Sequence, residues 1–146
     1  GSIVIAGNRI LIVVLLLLGL LAACDRGTNY SFSTYKEARQ DTSVVGASVP
    51  DFLPESSRDI KGWYSVELNE QIVEFAYSAK DESLLVASFR PISAAEETAA
   101  KSEFQKYRWS NANTGRPLHF YKKEMKGRVE HLAIDGTHAY YWSRPA

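Results

Sequence analysis

The chain has 146 residues, 45% of them apolar and 23% charged, with 17 basic and 17 acidic side chains and a formal net charge of zero. This composition excludes an intrinsically disordered chain. The neutral balance provides no field to draw the protein onto nucleic acid or anionic lipid. A single cysteine, Cys24, excludes an internal disulfide.

The first element in chain order is an apolar segment near the N terminus. Ile10 to Leu21 reads ILIVVLLLLGLL, an apolar run of 12 residues preceded by Asn8 and Arg9 and followed by Ala22, Ala23 and Cys24. A basic flank, a short apolar stretch and small residues before a cut describe a secretory signal peptide, expected as an N-terminal signal helix. The run is too short for a spanning helix, which needs about 20 apolar residues. The tetrad Leu21-Ala22-Ala23-Cys24 resembles the lipobox of bacterial lipoproteins. That resemblance implies cleavage before Cys24 and acyl chains of the palmitate kind on its sulfur and new N terminus. Each buried methylene contributes about 0.8 kcal/mol, so two or three chains hold a protein on a bilayer stably. Asp25 resembles the signal that retains lipoproteins in the inner membrane of enteric Gram-negative bacteria. It implies a periplasm-facing protein there, with the outer membrane or a Gram-positive surface as alternatives. Removal of residues 1–23 leaves 16 basic against 17 acidic side chains, a net charge of −1. The division expected is a signal peptide over 1–23, a lipidated N terminus and polar tether over 24–33, and a globular domain over 34–146.

Thr34-x-x-Glu37 fits a capping box and predicts a short helix from Tyr35 to about Asp41. Gly46 predicts a turn. Pro50 and Pro54 break regular structure, with Phe52 and Leu53 between them as core plugs and Pro54 opening a short helix to Asp59. Two strands are expected within Trp63–Ser78, turning at Asn69-Glu70. Asp81 is read as the cap of a helix through Phe89, with a strand as the alternative, ended by Pro91. Ser93-x-x-Glu96 is a second capping box, opening an Ala/Glu/Lys-rich helix to about Tyr107. After a loop at 111–115 come three strands, His119–Glu124, Arg128–Ile134 and Thr137–Ser143, the last two joined at Asp135-Gly136. The layout predicts a small single α+β domain, a mostly antiparallel sheet with short helices on one side. The stretch TYKEAR…VPDFLPESSRDI and the strand Ile72–Tyr77 look similar to a group of small bacterial lipoproteins that carry no assigned activity.

Catalytic chemistry finds little support. A two-residue turn at Asp135-Gly136 pairs His131 with Tyr140 and Ala133 with His138. It sets His131 and His138 diagonally on one face about 7–8 Å apart, with His119 on the next strand. No metal-ligand spacing accompanies them, and exposed sheet histidines are expected rather than a metal site. Ser33-x-x-Lys36 matches a penicillin-binding tetrad without its companion motifs, and Thr34 is already used as a cap. The pairs Asp81-Glu82 and Glu96-Glu97 fall at helix starts, where the dipole favours them. No phosphate-binding, dinucleotide or nucleophile-elbow motif occurs, so no cofactor is expected. The basic run Lys122–Lys126 reads as a solvated strand end and turn, with contact with anionic headgroups near the membrane as the alternative.

Aromatic residues are the distinctive feature. Trp63, Tyr107, Trp109, Tyr140 and Trp142 are expected to contribute a partly exposed surface suited to a protein partner. The function expected is a membrane-anchored, non-enzymatic binding, accessory or inhibitor module with an envelope protein partner and no nucleic-acid partner. A small envelope hydrolase using the histidines, and a structural subunit of an envelope complex, are the alternatives.

Overall fold

The computed structural model describes residues 27–110 and 115–146. The signal segment, Cys24, Asp25 and most of the 111–115 loop lie outside the described residues. Alternating side chains build a seven-stranded sheet: β1 (Thr28–Thr34), β2 (Arg58–Ser65), β3 (Glu70–Ala76), β4 (Arg90–Pro91), β5 (His119–Met125), β6 (Arg128–Ile134) and β7 (His138–Pro145). The spatial order is β1-β2-β3-β7-β6-β5-β4. Every pairing described is antiparallel. Two three-stranded meanders thus meet where β3 pairs with β7, Val73 opposite Tyr141 and Phe75 opposite Ala139.

Among the described residues four α-helices accompany this sheet: α1 (Tyr35–Gln40), α2 (Val44–Ser48), α3 (Glu82–Val86) and α4 (Ala94–Lys106). Side-chain alternation divides the core in two. On one face Ile60, Val73, Phe75, Leu132 and Tyr141 pack with Ala38 of α1, Leu53 and Leu85 of α3. On the other, Phe120, Ala133, Tyr140 and Trp142 pack with Ala100 and Phe104 of α4. Helices therefore lie on both faces, not on one as expected. The central strands carry apolar residues at successive positions, and a helix on one side only would leave half of them in water.

Only the second capping box forms in full, because at the first the Glu37 carboxylate reaches back to the residue before the cap. Ser93 Oγ accepts from Glu96 N, and the Glu96 carboxylate accepts from Ser93 N. Thr34 Oγ1 accepts from Glu37 N at 3.2 Å, while the return bond runs from Ser33 N to Glu37 at 2.8 Å. Phe52 and Leu53 fill the core as expected: Leu53 is buried, and the Phe52 ring meets Phe89 and Tyr141.

Several expectations are corrected. The segment expected as a tether begins the domain. TNYSFST alternates polar and aromatic residues, and Tyr30 and Phe32 enter the core from the edge strand β1. Gly46 sits inside α2, close against the Asp41 carbonyl, where a Cβ has no room. No helix starts at Pro54. Its carbonyl instead accepts from Ser57 N and Ser57 Oγ, turning the chain into β2. Asp81 forms no side-chain cap, and α3 ends at Val86, short of Phe89. No helix among the described residues is long and apolar enough to cross a membrane.

Candidate binding recess

The helix α4 covers only part of its face. The cluster beneath it takes in β5, β6 and β7 and reaches Ile72 of β3, and Glu74 and Ala76 of β3 are also buried on this face, so the same face of β1 and β2 is left open. The chain leaves α4 at Tyr107 in extended conformation and runs along the border between the covered and open halves. Trp109 is fixed there: its ring stacks on Phe104 at 5.4 Å, and its indole nitrogen donates to the Phe104 carbonyl at 3.0 Å. The Ser110 amide then donates to the Glu74 carboxylate at 2.8 Å. The result is a recess of about 470 Å³, walled by Arg108, Trp109 and Ser110.

The sheet register dictates its floor. Asn29 of β1 faces Trp63 of β2, which faces Ile72 of β3, giving one row. The next row is Ser31, Lys61 and Glu74. Glu74 is almost fully buried, whereas Lys61 and Arg108 are exposed. The floor therefore offers an indole and an isoleucine beside a buried carboxylate, with two cations at the rim. Such mixtures of aromatic and arginine residues characterise protein-binding surfaces.

Of the five aromatic residues expected at a surface, three are partly exposed: Trp63, Tyr107 and Trp109. Trp63 and Trp109 line the recess. Tyr140 and Trp142 do not; both are buried under α4, at 1% and 0% exposure. They lie on the central strand, where neither face is open. Ile72, Lys61, Glu74 and Arg108 are site residues that the sequence reading missed. A hairpin turning two residues earlier, over Val66–Asn69 rather than at Asn69-Glu70, brings Lys61 opposite Glu74. The left-handed backbone of Asn69, φ 51°, was the signal available in residue type.

Beneath α4 lies a second polar cluster. The Glu103 carboxylate accepts from the Trp142 indole nitrogen at 2.9 Å and from the Arg144 guanidinium at 2.7 Å. Burial alone would raise the Glu103 carboxyl, but these bonds outweigh it and hold it below the usual carboxylate range. His131 stacks on Trp142 at 4.8 Å. Its Nδ1 is buried without a hydrogen-bond partner, 3.8 Å from Glu103, which is too long for a bond. Burial pushes the His131 imidazole below its ordinary value, outweighing the neighbouring carboxylate. This closed cluster clamps α4 to the sheet.

The three histidines do not converge. His131 is buried, not exposed as expected. The covering helix is the reason: His131 faces Trp142 on the side over which α4 lies, and it stacks on Trp142 beside Glu103. Asp135 accepts from Thr137 N at 2.9 Å and His138 N at 2.7 Å, so its side chain organises a longer loop than the two-residue turn expected. His138 thereby sits four residues from the partner of His131, about 14 Å along the strand. His119, opposite Ile134, belongs to the other face. No group of three or more His, Cys, Asp and Glu among the described residues is arranged to hold a metal.

No protein-family model, no curated protein and no solved structure matches the chain.

Proposed function

We propose that this protein is a bacterial lipoprotein, exported on residues 1–23 and anchored by acyl chains on Cys24, whose domain binds an envelope protein through the recess beside α4. The export reading is supported by the order of basic flank, apolar run, small residues and cysteine. Asp25 favours an inner-membrane location. The binding reading is carried by one observation: the face that α4 covers elsewhere is left open over β1 and β2, where Trp63 stays partly exposed beside Trp109 and Arg108 and a solvated sheet face carries polar residues. The hydrolase alternative loses its support, because His119, His131 and His138 are on different faces or levels of the sheet. A contiguous aromatic patch for a structural subunit loses Tyr140 and Trp142.

The anchor is tested by intact mass and palmitate labelling of the protein made in a bacterium. An N terminus at Cys24 carrying acyl chains is expected; an unmodified thiol there overturns the reading. The recess is tested by photo-cross-linking in membranes, with the reactive side chain at Ser31 or at Lys36 of α1. One envelope protein captured from position 31 and not from 36 is expected. Identical products from both positions would remove the recess as the binding face.

A further inference from the structure

The sheet has one end at which the chain enters and several turns gather. Thr28 starts β1 opposite Tyr64, near the end of β2. The β2–β3 turn follows at Val66–Asn69, and Pro145 of β7 is level with Arg128 of β6 and Met125 of β5. At a strand spacing of about 4.8 Å, these turns form a rim about 20 Å long. Of the five large apolar side chains that are exposed among the described residues, three are on this rim: Val66 at 82%, Leu68 at 53% and Met125 at 51%.

The rim is built, not frayed. Leu68 N donates to Ser65 Oγ at 3.2 Å, and Arg128 donates to the Asn69 carbonyl at 3.1 Å and to its side chain at 2.6 Å. Val66 and Leu68 are thus presented on a cross-braced turn. The chain's entry is fixed beside it. Gly27 sits against the Tyr64 carbonyl and the Trp63 ring so closely that a Cβ would meet both. Cys24 is three residues before Gly27. Three residues span at most about 10 Å.

We propose that the rim bearing Val66, Leu68 and Met125 rests in the interfacial region of the bilayer, as a second, apolar contact beside the lipid on Cys24. The inference rests on the lipoprotein reading, which supplies the anchor. Acyl chains in the membrane put Gly27 within about 10 Å of the headgroups. The domain then has little choice of which end meets the lipid. Exposed apolar side chains at that end gain by leaving water, and the recess on the sheet face is turned sideways, open to a partner. Shallow insertion of three side chains is too weak to bind alone and works because the anchor holds the rim at high local concentration.

The test uses the acylated full chain in phosphatidylethanolamine–phosphatidylcholine vesicles. Acylation occupies Cys24, so an environment-sensitive fluorophore can be placed on a single introduced thiol, in L68C or M125C, with L84C as the comparison. Leu84 is exposed at 66% but lies on α3, away from the rim. Shallow doxyl-lipid quenching of the probes at 68 and 125, at least threefold greater than at 84, is expected. Equal, weak quenching at all three positions on acylated, vesicle-bound protein overturns the rim contact and leaves the lipoprotein reading standing. A probe at 68 that is blue-shifted but unquenched would mean that a second copy or another protein covers the rim, which also overturns it. A free thiol at Cys24 would sink both proposals together.

Discussion

The Trp142 indole nitrogen, on the innermost strand of the sheet, donates its hydrogen bond to Glu103 on α4 at 2.9 Å. Trp142 is fully buried, so this N–H has no water to turn to. The same carboxylate also holds Arg144 at 2.7 Å. Replacing Glu103 by Ala strands a buried donor and is expected to cost about 2–3 kcal/mol, read as a lower urea midpoint. Gln keeps an acceptor for the indole but loses the charge on Arg144, and about 1 kcal/mol is expected. Equal losses from the two variants would show that the carboxylate's charge, not the indole bond, matters.

The same carboxylate predicts a pH dependence. Its folded-state pKa is depressed, so the folded protein holds the proton less readily than the unfolded chain. The stability it contributes is present above the ordinary glutamate value and is lost as pH falls through the depressed one. The difference between the parent and E103Q is expected to be constant from pH 6 to 8 and to shrink below about pH 4.5. A gap that persists at pH 3 would contradict the ion pair.

His131 acts at higher pH. Its folded-state pKa is lowered by burial, so the unfolded chain binds the proton more readily, and stability falls as pH drops below about 6.5. Replacing His131 by Phe keeps a ring against Trp142 and removes the unpartnered nitrogen. The variant is expected to be more stable than the parent by about 1 kcal/mol at pH 5, with a smaller difference at pH 8. Thermal melts at both values decide it; a difference that grows with pH would show that the imidazole is charged in the fold.

Gly62 of β2 leaves space for the Tyr30 ring of β1. A Cβ at this position would lie 2.2 Å from the ring. Tyr30 is boxed in by Phe32 and Tyr64, at 5.9 and 6.3 Å between ring centres. Gly62→Ala is expected to destabilise by about 1–3 kcal/mol through overpacking. Combining it with Tyr30→Ala should recover part of that loss, which a denaturation double-mutant cycle would detect.

The edge strand β1 makes a further claim about the domain's limits. A chain starting at Thr34 lacks β1 and the buried Tyr30. It exposes the edge of β2 to water, a loss of roughly 3 kcal/mol in apolar burial alone. A chain starting at Gly27 is expected to unfold cooperatively, and one starting at Thr34 to be less stable or aggregated. Equal urea midpoints for the two would return Thr28–Thr34 to the role of a tether.

The sequence by itself determined the elements whose signals are local. The capping box at Ser93 and Glu96 needs only residues three apart. The alternation in Arg128–Ile134 needs only residues two apart, and Pro50 and Pro54 act on their own backbone. The antiparallel α+β class followed from these. Even so, TNYSFST has the alternation of a strand and was outweighed by its polar composition. What only the tertiary structure decided was which surfaces meet. Tyr140 and Trp142 look like interface residues until α4 is laid over them. His131 looks exposed until the same helix closes over it with Glu103. The recess exists because α4, 13 residues long, lies over β5, β6 and β7 and leaves β1 and β2, assembled from residues distant in the chain, uncovered on that face. Burial is a property of contacts between elements far apart in sequence, and no periodicity within one element encodes it.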